Sequence, residues 1–287
     1  MAITTELKQI VNQVIRRLGL KVDTLTGEKQ ERARLETLRE RSYFEHPVFP
    51  LLRGFAEFNV DNLTAALDKY GPELEVLMRG GAKPGGYDPI NNFFKSPDAE
   101  ILYLMIRTLT PRRIVEVGSG NSTRIIRQAI ADGGLLVEHV AIDPAPRSDI
   151  AGLVDRMLFS RFEHADAEPI IAQLGPSDIL FIDSSHEVNV GNDVARLFCV
   201  TLPALVDGVV VHVHDVFLPF DYPEPFYKRC PSWGEQYLLQ LFLQGAGHEI
   251  LWPGYYIQKQ RPDEAERLPF LASGIAQSLW FRVRSNL

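Results

Sequence analysis

The chain has 287 residues, 45% of them hydrophobic and 23% charged, the composition of an ordinary soluble globular protein long enough for a sizeable core. A net charge of −7, with no tract of like charge to reverse it, excludes a general nucleic-acid binder, which relies on clustered positive charge. Cys199 and Cys230 give neither a disulfide framework nor a zinc pattern, no apolar run approaches the roughly 18 residues of a membrane span, and the first residues lack a signal-peptide core; the expectation is a cytoplasmic protein without stable membrane insertion.

Residues 1–95 hold no convincing parallel-sheet strand and read as a helical N-terminal segment with a loop, ahead of a main domain over 96–287. Leu7, Ile10, Val11, Val14, Ile15 and Leu18 share one stripe of a first helix, expected to pack on the main domain, with a membrane surface or a second copy of the chain as alternatives. The alternating charges of "GEKQERARLETLRER" predict a solvated helix. "RGGAKPGGYDPINNFF", residues 79–94, is a loop by composition, either closing over a substrate or linking the two parts. Ser96 and Pro97 then supply an N-cap and a first helical residue for "DAEILYLMIRTL".

From residue 111 strands alternate with helices: strands at 113–118, 136–143, 157–163, 179–183 and 208–214, and helices at 122–132, 147–155, 167–174 and 191–206. Near-continuous apolar runs such as "DILFID" and "GVVVHVHD" imply a parallel sheet covered on both faces. A helix at 233–245 precedes "HEILWP" and "QSLWFRV", two strands with no clear helix between them, expected to pair antiparallel.

"IVEVGSGNSTRIIRQAI", residues 114–130, is strand, glycine turn and helix. Such a turn lets backbone approach a ligand, and the helix N-terminus offers unpaired N–H donors, which suits a nucleotide or nucleoside. The third glycine of a dinucleotide fingerprint is absent, Gly118-x-Gly120 being followed by Ser122. Together with the two terminal strands this looks more like a methyltransferase than a nicotinamide dehydrogenase, and the ligand would be S-adenosylmethionine. Ligands of open parallel sheets sit beyond the carboxyl ends of the strands. There stand Gly118, Ser119, Gly120 and Ser122; then Asp143, suited to both ribose hydroxyls; Asp166, suited to the adenine amino group or to helix capping; Asp183 to His186; and His214 with Asp215. Glu116 braces the turn or meets the methionine ammonium group through water.

"VEVGSGNST", "AIDP", "DILFIDSSH", "VHVHDVFLPFDYP" and "WGEQYLLQLF" together make residues 96–283 resemble a class I S-adenosylmethionine-dependent methyltransferase, of the bacterial group related to the macrocin, rhamnosyl and cephalosporin-pathway enzymes. The resemblance implies an α/β fold: a doubly wound, mostly parallel, seven-stranded Rossmann-like sheet with an antiparallel C-terminal strand. It also implies the cofactor, and leaves the acceptor open. Sugar methyltransferases of this kind carry two adjacent acids after the fifth strand for a divalent metal, whereas this chain has His214-Asp215.

A hydroxyl acceptor needs help losing its proton, and His186 or His214 is the expected general base, with Asp183 beside them. His212, deeper in its strand, is expected to be a buried histidine hydrogen-bonded to backbone. Asp183, His186, His214 and Asp215 could also hold a divalent metal ion, a mixed oxygen and nitrogen set better suited to iron, manganese or zinc than to magnesium. The loop "VFLPFDYPEPFYKRCPSW" is expected to wall the pocket, with Phe220, Tyr222, Phe226 and Tyr227 as stacking surfaces and Lys228 and Arg229 available to an anionic acceptor. The reading is methylation of a hydroxyl on a glycosyl or secondary-metabolite acceptor, with N-methylation and assembly as a homo-oligomer open; the rivals are a nicotinamide oxidoreductase and a catalytically silent cofactor-binding regulatory protein.

Overall fold

The computed structural model describes residues 5–23, 25–80, 86–146, 149–245 and 247–284. The chain divides into two compact units, Met1–His46 and Pro47–Leu287. The smaller unit carries α1 (Thr5–Ile15) and α2 (Thr26–Glu40). The Asn12 amide donates to the Val22 carbonyl at 2.7 Å and accepts from the Val22 N–H at 2.6 Å, pinning the chain on its return from α1. No residue of α2 is buried, as its charge pattern predicts. Ile10, Val14 and Leu18 are not covered within this unit.

The larger unit begins well before the boundary expected at residue 95. Its first helices, α3 (Arg53–Glu57) and α4 (Asp61–Met78), bury Phe55, Leu63, Leu74 and Leu77 in the same core as the sheet. The tip of the 79–94 loop, residues 81–85, lies outside the described residues. Next comes α5 (Asp98–Leu109), a run of buried apolar side chains wedged between α4 and α6 (Asn121–Gly133).

The sheet has seven strands: β1 (Arg113–Val117), β2 (Glu138–Ile142), β3 (Arg156–Leu158), β4 (Ile179–Ile182), β5 (Val210–Val213), β6 (Glu249–Pro253) and β7 (Leu279–Arg282). Their order is β3-β2-β1-β4-β5-β7-β6; the first five are parallel, and β7 runs antiparallel to both neighbours. This is the architecture that the resemblance implies. Its centre is held by side chains such as Leu180, Phe181 and Val211, fully buried, each worth about 1.5–3 kcal/mol. The order reverses beside β1, so the ends of β1, β2, β4 and β5 open one crevice. Among the described residues no helix is long and apolar enough to cross a membrane.

Several elements differ from expectation. Residues 149–155 form turns rather than the end of a helix, because Asp155 is drawn back to β2, its carboxylate accepting from the His139 N–H at 2.8 Å; Arg147 and Ser148 lie outside the described residues. The strand expected at 157–163 shortens to β3 at the sheet edge, and the helix expected at 167–174 to α7 (Glu168–Ile171). The helix at 191–206 is α8 (Asp193–Arg196), then a π-helical turn Leu197–Thr201 and a 3₁₀ turn at Leu202–Ala204, stopped by Pro203. After α9 (Glu224–Arg229) and α10 (Glu235–Gly245), β6 and β7 are separated by α11 (Gly254–Gln260) and α12 (Pro262–Ala265), where no helix was expected. Helix α11 starts directly from the strand at Gly254, where a Cβ would lie 2.7 Å from the Trp252 indole nitrogen, so the chain turns without any linker a sequence pattern could reveal.

Glu100 sets a pH limit on this fold. It is 5% exposed, Ser96 donates to one carboxylate oxygen at 2.7 Å, and the other has no partner among the described residues. Burial raises its pKa from 4.5 to about 7. Between those values the folded chain holds a proton that the unfolded chain has lost, so stability falls as pH rises, by about 3 kcal/mol in all. Glu100→Gln is expected to raise Tm at pH 8 by about 6 °C or more and to leave it unchanged near pH 4. An equal shift at both pH values would contradict this.

Candidate active site

The crevice begins at the β1 turn. Gly118 has φ +81°, and a Cβ there would sit 1.8 Å from the Asp183 carbonyl oxygen. The missing side chain of this glycine therefore lets the ends of β1 and β4 meet. Gly120 is the opposite case, since a Cβ built on it meets nothing within 4 Å. It stands at the open N-terminus of α6, with its own N–H donated to Thr123 Oγ1 at 3.0 Å.

Ser119 donates to Asp143 Oδ2 from its N–H at 2.9 Å and its hydroxyl at 3.1 Å, while the Ala145 N–H reaches Oδ1 at 2.8 Å. Asp143 thus ties the first turn to the second and keeps acceptor capacity on Oδ1. Glu116 is 0% exposed: Ser122 donates to Oε1 at 2.6 Å, Thr123 donates to Oε2 at 2.8 Å, and His139 Nε2 lies 3.0 Å from Oε2. Of its two expected roles it fills the brace. The Ser122 hydroxyl, spent on Glu116, belongs to the brace as well, while its backbone N–H stands at the start of α6. Asp166 is exposed and does not cap α7, whose N-cap is Ala167.

Beyond β4 and β5 the chain gathers acids around two imidazoles. His186 (φ +63°) and Asp215 (φ +57°) both hold left-handed backbone, a strained state that clusters at functional sites. His186 Nε2 lies 3.4 Å from Asp183 Oδ1 and 3.4 Å from Asp215 Oδ2, and its Nδ1 is hydrogen-bonded to Glu235 Oε1. His214 Nδ1 lies 3.5 Å from Asp215 and 3.8 Å from Asp183, and its Nε2 lies 3.8 Å from Asp98. Asp183, His186 and Asp215 each offer a ligand atom within 4.8 Å of the others, a set able to hold a metal ion. His214, expected in that set, is outside it; its ring packs on Phe94 at 4.8 Å.

Electrostatics follow from this crowding. Burial opposes ionisation of Asp183, but the His214 and His186 rings outweigh it and hold the carboxyl below the usual carboxylate range. Burial opposes the charged ring of His186, but Glu235 and Asp183 carry its pKa well above the ordinary 6.5. His214 rises in the same way to about 9, driven by Asp215 and Asp183 against burial. Burial pushes Asp98 and Glu235 up. His212 moves the other way: burial, reinforced by His214, lowers it well below 6.5. It was expected to hydrogen-bond to backbone, yet neither ring nitrogen has a partner among the described residues, because the ring is stacked on Phe181 at 3.9 Å and faces Trp280.

The aromatic loop is also different from its expectation. Phe217, Phe220 and Tyr222 are buried with Tyr255 in a small core of their own, and Gln236 Oε1 accepts from the Phe217 N–H at 3.0 Å. Phe220 and Tyr222 are therefore unavailable for stacking on an acceptor, whereas Phe226, Tyr227 and Trp233 are half-buried around that core. Lys228 pairs with Glu224 one turn away.

Two members of the cluster, Glu235 and Asp98, escaped sequence reasoning. Each opens a helix, where an acid reads as an ordinary partner of the helix dipole. Asp98 accepts from the Ser278 hydroxyl and the Gln277 and Ser278 N–H groups, which fastens α5 to the start of β7.

Residues 115–216 match the model of a methyltransferase domain family. No curated protein matches the chain. Among solved structures, the O-methyltransferase TomG of Streptomyces achromogenes, involved in tomaymycin synthesis and determined with S-adenosylmethionine, is 16% identical, with 85% of this chain and 95% of that one covered and a TM-score of 0.39. An O-methyltransferase of Bacillus cereus with S-adenosylhomocysteine is 16% identical, with 85% and 96% covered and a TM-score of 0.39. An apo structure of CmcI is 16% identical, with 74% and 84% covered and a TM-score of 0.42.

Proposed function

We propose that this chain is a class I methyltransferase and that it methylates a hydroxyl on a glycosyl or secondary-metabolite acceptor, in the cytoplasm, with S-adenosylmethionine as donor. One observation carries the reading: Gly118 packs against the Asp183 carbonyl, so the open turn at Gly120 and the acid–imidazole cluster border on each other. When bound, the cofactor supplies an electrophilic methyl on a sulfonium. The chain supplies the rest. Backbone donors at the start of α6 and the free acceptor capacity of Asp143 hold the adenosyl part. His186, aimed by its neighbours, takes the acceptor's proton at Nε2. The surrounding carboxylates favour the protonated ring, so this step strengthens as pH rises.

Calorimetry with S-adenosylhomocysteine and with NADH tests the reading. The wild type is expected to bind the first and not the second, and Asp143→Ala to weaken binding about tenfold, the worth of one charge-assisted hydrogen bond. Binding of NADH alone, or undiminished affinity in the variant, would contradict it.

A second reading is favoured by the Asp183, His186 and Asp215 set, whose mixed donors fit a divalent ion such as manganese, iron or zinc. Held there, the ion would act as a Lewis acid on the acceptor hydroxyl. Metal analysis of the purified protein, with turnover measured before and after chelation, decides: loss of activity restored by added metal supports it, and unchanged turnover in chelator rejects it.

A further inference from the structure

Residues 233–235 grip His186 on three sides. The Gly234 N–H donates to the His186 carbonyl at 2.9 Å, the Trp233 ring lies 4.3 Å from the imidazole, and Nδ1 is hydrogen-bonded to Glu235 Oε1. Glu187 and Trp233 add a backbone bridge beside this contact. Glu235 is 1% exposed, and its second oxygen has no partner among the described residues. A carboxylate buried like this is costly, and a helix start has no need of it, since a Ser or Asp facing solvent caps a helix as well. What it accomplishes is specific. With Nδ1 committed to Glu235, only Nε2 is left to face Asp183 and Asp215, each 3.4 Å away.

We propose that Glu235 is a positioning residue that locks the orientation and tautomer of His186, so that Nε2 always points into the centre between Asp183 and Asp215. The inference rests on the reading of that centre as the site of methyl transfer, and it holds whether Nε2 accepts a proton or ligates an ion. An outer carboxylate behind a working histidine does both jobs, because the ring nitrogen it binds fixes the chemistry of the other.

The test uses the full chain with histidine labelled with ¹⁵N, and the variants Glu235→Gln and Glu235→Ala. In the wild type the His186 Nδ1 proton is expected to be strongly deshielded, its signal assigned by its absence from His186→Gln. Glu235→Ala should abolish that signal, and Glu235→Gln, which keeps the shape of the side chain, should move it upfield. In Glu235→Gln kcat should fall about 10–100-fold while KM for S-adenosylmethionine and affinity for S-adenosylhomocysteine stay within about twofold. Should Glu235→Ala fail to fold, Glu235→Gln alone carries the comparison. An unchanged Nδ1 signal with kcat within about twofold of wild type would overturn the proposal. If the wild type binds no S-adenosylhomocysteine, the methyltransferase site itself is wrong, and the Nδ1 signal still reports on Glu235 separately.

Discussion

His186→Gln is expected to lower kcat by about 10²–10⁴-fold, the usual worth of a positioned proton acceptor, on whichever acceptor of a glycosyl and secondary-metabolite panel the wild type methylates. Glutamine fills much the same space and can hydrogen-bond to Asp183, Asp215 or Glu235, but it cannot take a proton in the transition state. Affinity for S-adenosylhomocysteine should stay within about twofold, because the groups assigned to the adenosyl part, Gly120 and Asp143, make no hydrogen bond to His186. A variant retaining kcat within about threefold of wild type would move proton acceptance elsewhere, with His214 the next group to test.

Gly118→Ala is expected to be the most damaging alanine substitution among the described glycines. The backbone at φ +81° already disfavours any L side chain, and the new carbon would lie 1.8 Å from the Asp183 carbonyl oxygen, which is backbone and cannot swing aside. Relief requires separating the ends of β1 and β4, whose ladder continues past that point through the Asp183 N–H to the Val117 carbonyl at 2.9 Å. A loss of about 4 kcal/mol follows, or a Tm lowered by about 8 °C or more, measured by thermal unfolding. A variant as stable as the wild type would mean that the two strand ends are not in contact, and with them the donor turn and the acid–imidazole cluster would come apart.

The parts of this architecture that could be read from residues alone are those in which local pattern and tertiary role coincide. The buried runs of β1, β4 and β5 announce themselves because a strand covered on both faces is largely apolar, and the polar residues that follow β4 and β5, Asp183 to His186 and His214-Asp215, mark the crevice by contrast. Glu116 stands two residues before Gly118, close enough in sequence for its bonds to Ser122 and Thr123 to lie within one local motif. The rest depends on distant segments. Glu235 meets His186 across 49 positions of chain and Asp98 meets Ser278 across 180, separations that no periodicity records. The aromatic loop was misjudged for a related reason: composition does not tell whether rings face a ligand or one another, and Phe217, Phe220 and Tyr222 face one another and Tyr255. Helix α11 went unseen because it is seven residues long and begins where β6 stops, leaving no turn signal between them.

The most direct measurement is a crystal structure of the chain soaked with S-adenosylhomocysteine. The account predicts the ligand across the ends of β1 and β2, its backbone-facing side against Gly120, its ribose hydroxyls on Asp143 and its sulfur turned toward Asp183 and His186. Density for the ligand at any other place, or a crevice that admits none at saturating concentration, would contradict it.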